Sequence, residues 1–260
     1  MKLHYKDDRI FSIRPGRKLL MDGFDVVRKP DGYAVRLVDL SAAERFSRQC
    51  GKTDGEGVMP IYHIPLLIKA CSLALEKYPQ VNYMIRGQKM VRPSSIDIGV
   101  SVAGEENVAP VVVIREADAK SLQAIAQELF VKSVEAKKQE KEDLKKLDSI
   151  GRWIPFSFVR RKLVGLFINN QRVRRELVGT FQITSLNHVD FGFPAVISTT
   201  ALLGVGGVAK RCIVVGEEVE VRPTIYLSLV GDHRVLDGVK AGAFLNEVKR
   251  LLENPHELKD

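Results

Sequence analysis

The stretch "TIYLSLVGDHRVLDGVKAGAFLNEVKRLLE" (residues 224–253) joins three local patterns. Its apolar beginning predicts a strand, and the segment 238–253 predicts a helix. The apolar residues presented by that helix are Val239, Ala243, Leu245, Val248 and Leu252. Between strand and helix lies "GDHRVLDG" (231–238), in which a histidine stands between an aspartate and an arginine. The stretch therefore predicts a strand, a polar turn and a helix in direct succession.

His233 is the candidate catalytic residue of this turn. Imidazole gains and loses its proton near neutral pH, which suits a general base. A free thiol is only roughly a few per cent thiolate at pH 7, so a base that takes its proton during attack on a thioester has a clear task. Arg234 and Asp237 are spaced for an ion pair across one turn, which would fix the loop that presents His233. The alternative is a structural histidine at the end of a strand.

The remainder of the chain alternates helix and strand patterns without an internal repeat or a linker rich in Pro, Gly or Ser. Strand patterns occur at 33–41, 94–102, 108–114 and 179–186 and again through 195–221 and 222–230, and helix patterns occur at 64–79 and 121–147. Only the first half of the long helix carries an apolar stripe, because its second half is almost wholly charged. Helices mixed with hairpin-type strands favour a single α+β domain.

The segment 150–176 is unusual because bulky apolar residues alternate with six arginines and one lysine. Its bulky apolar residues are Trp153, Phe156, Phe158, Leu163, Leu166 and Phe167. One interpretation is a basic amphipathic surface that contacts lipid, an acyl chain or a partner protein. The other is a lid or packing helix that buries its apolar side and leaves its arginines in water.

Composition narrows the class of protein. The chain has 260 residues, a net charge of +8 and 45% hydrophobic residues, as expected of a globular protein. The charge is compatible with an anionic, nucleotide-bearing ligand or a solvated basic surface, and no nucleic-acid-binding motif occurs. Cys50, Cys71 and Cys212 form no CxxC pair, so reduced thiols are expected. With neither a secretory signal nor a membrane span in the sequence, a cytoplasmic protein is expected.

The run "GTFQITSL" (179–186) supplies candidate hydroxyl groups. Thr184 and Ser185 point to opposite faces of a strand, so at most one of them faces a given site. A hydroxyl aimed at a developing oxyanion would stabilise a tetrahedral intermediate. "GVGG" (204–207) has neither of the spacings used by nucleotide-binding loops. The remaining histidines have no metal-ligand spacing, so no metal is expected.

Several of these segments together resemble a known family. "DHRVLDG" is similar to the DHRxxDG signature of the acyltransferase subunits of 2-oxoacid dehydrogenase complexes and of their relative chloramphenicol acetyltransferase. "GTFQITSLNHVDFGFPAVISTTALLGVGGVAKR" (179–211) follows a family segment in order and spacing. "IPLLIKACSLALEKYPQVN" (64–82) and the strand pair and helix in 91–129 are also similar. The resemblance extends from about residue 33 to the end.

The resemblance implies a chloramphenicol-acetyltransferase-like fold, a mixed sheet flanked by helices, in one domain (33–260) behind an N-terminal arm (1–32). It also implies a homotrimer, or a larger trimer-based assembly, with active sites between subunits, where acyl groups pass between CoA and an acceptor thiol such as dihydrolipoyl. In the family pattern His233 matches the general base, Asp237 the motif aspartate and Thr184 the oxyanion-stabilising residue. His233 of one subunit would therefore meet Thr184 of the next, with Arg234 and Ser185 in supporting positions.

The chain also departs from the family pattern. No lipoyl attachment site, Ala/Pro-rich linker or subunit-binding domain is recognisable, so acyl groups are expected to arrive through free CoA, a separate lipoyl or acyl-carrier protein, or a small acceptor. Asn187 stands where glycine is common, and 150–176 is an addition. Two other functions stay open: a trimeric scaffold without catalysis that binds partners, and acylation of a hydroxyl or amine on a small molecule.

Overall fold

The computed structural model describes residues 9–12, 31–50, 63–86, 88–102, 109–153, 170–194 and 199–258. The strands are β1 (Arg9–Ser12), β2 (Asp31–Asp39), β3 (Met84–Arg86), β4 (Lys89–Arg92), β5 (Ile98–Ser101), β6 (Val111–Ile114), β7 (Phe181–Leu186), β8 (Ala201–Gly206), β9 (Ala209–Val215) and β10 (Glu218–Asp232). The helices are α1 (Ser41–Cys50), α2 (His63–Lys77), α3 (Leu122–Trp153), α4 (Gln171–Val178) and α5 (Gly238–Glu253), with short 3-10 helices at Pro79–Asn82 and Pro255–Leu258.

The main sheet has the strand order β2-β10-β8-β7-β5-β6, and β9 pairs with the first part of β10. The β5–β7 and β7–β8 pairs are parallel, whereas β10 runs antiparallel to β2, β8 and β9. A smaller antiparallel sheet has the order β1-β4-β3. The predicted α+β fold with a mixed sheet flanked by helices is therefore confirmed.

Strand β10 is longer than its sequence pattern indicates. The runs 211–221 and 222–230 suggest two strands that separate before Pro223, but β10 continues through this proline for 15 residues. The chain instead turns at Gly216, whose φ of 65° lies in the left-handed region that favours glycine. Pro223 is tolerated because the part of β10 that precedes Thr224 pairs with β9, while pairing with β2 begins only at Thr224.

The hydrophobic core lies between one face of the main sheet and the helices. Ile183 of β7, Leu203 of β8 and Leu229 of β10 are fully buried on this face. Helix α5 packs over it with Ala241, Phe244, Leu245, Val248, Leu251 and Leu252. The inclusion of Val239 in this apolar set was wrong, since its side chain is 83% exposed. The buried residues follow i, i+3 and i+4 spacing from Ala241, and Val239 lies off that side of the helix.

A buried ion pair connects α4 to the loop before β5. Nε of Arg175 donates to Oδ2 of Asp97 at 2.8 Å, and the two side chains are only 1% and 2% exposed. The guanidinium also donates to Ser95 Oγ at 2.6 Å, and the backbone N–H of Glu116 donates to Asp97 Oδ1 at 3.1 Å. The carbonyl of Asp97 accepts from the backbone N–H of Thr180, where β7 begins. This pair therefore fixes the relative positions of α4, β5 and β7.

The expectation that the arginines of 150–176 lie in water was wrong for Arg174 and Arg175 of α4, whereas Arg172 in the same helix is exposed. Arg175 is buried, and Arg174 donates to the carbonyl of Ile85 at 3.1 Å. Burial also lowers the pKa of the Arg174 guanidinium. The apolar side chains Phe156, Phe158, Leu163, Leu166 and Phe167 lie outside the described residues, as does the side chain of Trp153.

Removal of the buried carboxylate should strongly destabilise the fold. We expect Asp97→Ala to lower the free energy of unfolding by roughly 3–5 kcal/mol, because Arg175 is left as an unpaired buried charge. Chemical denaturation of the purified protein measures this change. The control Arg48→Ala removes a pair with Glu44 whose arginine is 70% exposed, and it should cost less than about 1 kcal/mol. Equal effects of the two substitutions would contradict the assigned role.

Candidate active site

The turn that follows β10 presents His233. Its first residue, Asp232, is the last residue of the strand, and its backbone N–H donates to the carbonyl of Thr200 at 2.8 Å. The Asp232 carbonyl accepts from the backbone N–H groups of Val235 and Leu236, each at 3.0 Å. The backbone around His233 is therefore closed by hydrogen bonds, while the imidazole side chain remains 41% exposed.

The two neighbouring charged residues are arranged differently from the predicted Arg234–Asp237 pair. The Arg234 guanidinium binds Asp232, with Nη2 donating to Oδ2 at 2.7 Å. Asp237 Oδ1 lies 3.7 Å from Nδ1 of His233. The Asp232 carboxylate is held beside this guanidinium because its Oδ1 also accepts the backbone N–H of Arg234 at 3.0 Å.

Asp237 lies directly before α5, in the N-cap position. Its side chain makes no capping hydrogen bond, although aspartate is a preferred cap. The 3.7 Å separation from Nδ1 is too long for a hydrogen bond but close enough for a charge interaction. The carboxylate therefore lies on the Nδ1 side of the imidazole ring.

Gly32 provides space for the imidazole. This residue pairs with Gly231 across β2 and β10. A Cβ atom at Gly32 would lie 3.1 Å from Cδ2 of His233, tighter than an ordinary contact. The ring therefore lies against the backbone of β2, on the side of β10 that faces away from β7.

Thr184 and Ser185 point to opposite faces of β7, as the strand pattern predicts. Thr184 is aligned with Gly204 of β8, which is in turn aligned with Ser228 of β10, so these positions share the face opposite the helices. The Thr184 side chain is half-buried. Ser185 donates a hydrogen bond to the side-chain oxygen of Asn187 at the end of the strand. The hydroxyl groups of Thr184 and Ser185 therefore lie in different surroundings.

One chain does not bring His233 and Thr184 together. His233 lies five residues beyond Ser228, the β10 residue in line with Thr184, and two strand spacings separate β10 from β7. These offsets correspond to about 17 Å along the strand and about 10 Å across it, or roughly 20 Å in all. A site that uses both residues therefore requires more than one chain.

The glycines of the "GVGG" run pack against a neighbouring loop and do not form a phosphate-binding site. A Cβ at Gly206 would overlap the carbonyl oxygen of Asp190, and one at Gly207 would lie 2.6 Å from that of Asn187. Ser228 Oγ donates to the carbonyl of Gly192 in the same loop. The loop 187–194 therefore lies directly on β8 and on the sheet face that carries Thr184, an arrangement that was not predicted from the sequence.

Phe191 and Phe193 of this loop join Tyr33 of β2 and Tyr226 of β10 in a group of aromatic rings, here called the aromatic surface. The Tyr33 and Phe193 rings meet with centroids 4.9 Å apart, and Phe191 lies 5.6 Å from Tyr226. Tyr33, Phe191 and Phe193 are exposed. Contiguous apolar exposure of this kind is typical of interaction sites.

Other chemistries find little support in the described residues. Burial raises the pKa of the Cys71 thiol, which disfavours a thiolate nucleophile at that position. No three His, Cys, Asp or Glu side chains in the described ranges are grouped to hold a metal ion. None of the helices in those ranges has the length and apolar character to cross a membrane.

Comparison with known proteins gives consistent matches. The family model for the catalytic domain of 2-oxoacid dehydrogenase acyltransferases matches residues 27–148 and 172–259. The lipoamide acyltransferase component of the branched-chain alpha-keto acid dehydrogenase complex of Pseudomonas putida is 28% identical over 250 residues. The match covers 92% of this chain and 51% of that protein, so the chain spans about half the length of this relative.

Two solved structures share the fold. The dihydrolipoamide acetyltransferase of Azotobacter vinelandii superposes with a TM-score of 0.69 at 23% identity, covering 95% of this chain and 93% of that chain. A chloramphenicol acetyltransferase superposes with a TM-score of 0.56 at 15% identity, covering 94% of this chain and 99% of that one. The expected chloramphenicol-acetyltransferase-like fold is thereby confirmed.

The packing of the loop 187–194 against β8 can be tested by a substitution that adds one methyl group to β8. Gly206→Ala should lower the free energy of unfolding by about 1–3 kcal/mol, because the new Cβ displaces the Asp190 carbonyl. Thermal or chemical unfolding measures the effect. Gly242→Ala is the matched control: nothing lies within 4 Å of its Cβ position inside α5, and it should stabilise the protein by about 0.5–1 kcal/mol. An unchanged Gly206→Ala protein would refute the assigned packing.

Proposed function

Because this chain belongs to the 2-oxoacid dehydrogenase acyltransferase family, we propose that it transfers an acyl group between CoA and a thiol acceptor such as a dihydrolipoyl group. The observation that carries the proposal is the placement of His233. Its imidazole lies half-exposed in a hydrogen-bonded turn at the end of the long strand β10, with Asp237 on the Nδ1 side. The family match spans both β10 and this turn.

The proposed reaction is a direct thioester exchange. Nε2 of His233 takes the proton of the acceptor thiol as its sulfur forms a bond to the carbonyl carbon of acyl-CoA. The hydroxyl of Thr184 donates a hydrogen bond to the oxyanion of the tetrahedral intermediate. The carbon–sulfur bond to CoA then breaks, and the imidazolium returns its proton to the departing CoA thiolate. Asp237 stabilises the imidazolium through its charge, at a distance of 3.7 Å from Nδ1.

We propose that the site forms between subunits of a homotrimer or of a larger trimer-based assembly. The separation of roughly 20 Å between His233 and Thr184 within one chain supports this arrangement. The exposed aromatic surface lies on the same sheet face as Thr184 and would be buried by a neighbouring subunit. Ser185 and Arg234 would have supporting positions, Ser185 beside the oxyanion residue and Arg234 beside the base.

The proposed reaction has two thiol reactants, CoA and an acceptor thiol. The positively charged surface would attract the phosphates of CoA. The acceptor thiol would belong to a separate lipoyl or acyl-carrier protein or to a small molecule.

Residues 33–260 would form the catalytic domain after an arm at 1–32, with 150–176 inserted into it. The inserted position of 150–176 is supported by the family model, which matches on both sides of residues 149–171, whereas its match begins at residue 27, within the proposed arm.

The catalytic assignment predicts graded losses of activity. His233→Ala should lower the rate of acyl transfer by ~10²–10⁴, and Thr184→Val should lower it by ~10²–10³. The assay follows CoA release from a panel of acyl-CoAs with dihydrolipoamide as acceptor. His256→Ala, which changes a histidine packed against Phe46, should retain activity. Full turnover by His233→Ala would contradict the mechanism. Absence of turnover by folded wild type would favour the scaffold function or an acceptor other than dihydrolipoamide.

The shared site predicts complementation between inactive variants. Co-expression of equal amounts of His233→Ala and Thr184→Val chains should restore activity at about one quarter of the sites, where an intact His233 faces an intact Thr184 of the next subunit. Each variant expressed alone supplies the baseline. Activity of the mixture that equals the average of the two variants would indicate a site within one chain.

A further inference from the structure

We propose that Asp232 is a positioning residue that holds the His233 imidazole in place through its pair with Arg234. The proposal rests on the proposed function, because it concerns the base of that reaction. Asp232 lies one residue before His233 and Arg234 one residue after it, so their pair joins the chain on both sides of the histidine. From the sequence, Arg234 was expected to pair with Asp237, and Asp232 had no predicted role.

Four hydrogen bonds join Asp232 and Arg234. Oδ1 of Asp232 accepts both the backbone N–H and Nε of Arg234, each at 3.0 Å. Oδ2 accepts Nη2 of Arg234 at 2.7 Å and Nε at 3.1 Å. This two-pronged contact between a planar guanidinium and a carboxylate is the strong form of an ion pair. The same carboxylate therefore fixes the backbone and the side chain of Arg234.

The backbone of Asp232 completes the turn. Its N–H binds the carbonyl of Thr200, the residue before β8, and its carbonyl accepts from Val235 and Leu236. Asp232 thus connects the histidine turn to the neighbouring strand and to the residues that lead into α5. Because its side chain is only 13% exposed, water competes weakly for the carboxylate. The position of the His233 imidazole is therefore restricted on two sides, by the hydrogen-bonded backbone turn and by the adjacent Gly32.

A base that transfers a proton must hold its nitrogen within hydrogen-bond reach of the thiol, and a displacement of about 1 Å costs up to 10²-fold in rate. Breaking the pair should consequently lower kcat without removing substrate contacts. A role confined to folding would instead lower the melting temperature and leave kcat per folded site unchanged. The kcat and KM of folded enzyme therefore separate the two roles.

The experiment compares Arg234→Gln, Asp232→Asn and Asp232→Ala in the full chain, with kcat and KM for acyl-CoA and dihydrolipoamide. We expect Arg234→Gln to lower kcat by about 10–100-fold with KM nearly unchanged. Asp232→Asn should lose less than Asp232→Ala, because the amide oxygen still accepts the Arg234 backbone N–H. The double variant Asp232→Asn/Arg234→Gln should be little worse than Arg234→Gln, because both substitutions break the same contact.

Arg222→Gln is the matched control, since Arg222 lies on β10, the strand that ends at Asp232, and pairs with Asp39 and Glu220. Its side chain is 24% exposed, against 25% for Arg234. It should shift the melting temperature as much as Arg234→Gln does but leave kcat unchanged. Wild-type kcat in folded Arg234→Gln and Asp232→Ala would overturn the positioning role alone. Absence of turnover by the wild type would instead count against the proposed function.

Discussion

The buried ion pair between Asp97 and Arg175 is the constraint from which the central part of the sheet follows. Its members lie 78 residues apart, on the loop before β5 and on the short helix α4. Asp97 uses its carboxylate for Arg175 and its carbonyl for the first backbone N–H groups of β7. The carboxylate is satisfied in three directions, which lets a dry site hold two charges. The start of β7, and with it the position of Thr184 four residues after Thr180, depends on this pair.

The two faces of the main sheet have different tasks because different elements cover them. Helices α1, α2, α3 and α5 cover one face and give it a continuous apolar core. The loop 187–194 covers part of the other face, and it approaches β8 so closely that only glycine fits at 206 and 207. Around this loop the aromatic surface and Thr184 stay accessible. A face of this kind suits an interface between subunits, whereas the helix-covered face suits stability.

The sequence predicted the fold class, most strands and helices, and the turn that carries His233, because these depend on local periodicity and on motifs. It missed features that depend on partners distant in the chain. Nothing in an arginine-rich segment marks Arg175 as the buried one, since its partner is Asp97. The glycines of "GVGG" were tested only against nucleotide-loop spacings, while their reason is contact with residues 187–194. The pairing of Arg234 was missed for a local reason: helical spacing pointed to Asp237, whereas the carboxylate of Asp232 at the preceding strand end accepts both the backbone N–H and the guanidinium of Arg234.

A site divided between subunits places a particular demand on each chain. If His233 and Thr184 come from different subunits, the interface sets the distance between them but cannot correct a loose side chain on either side. Each chain must then hold its own residue rigid before assembly. Thr184 obtains its rigidity from the interior of β7, whose start is fixed by Asp97. His233 lies beyond the end of a strand, where backbone pairing stops, and its turn needs another source of order. The Asp232–Arg234 pair supplies that order at the one position where the sheet cannot.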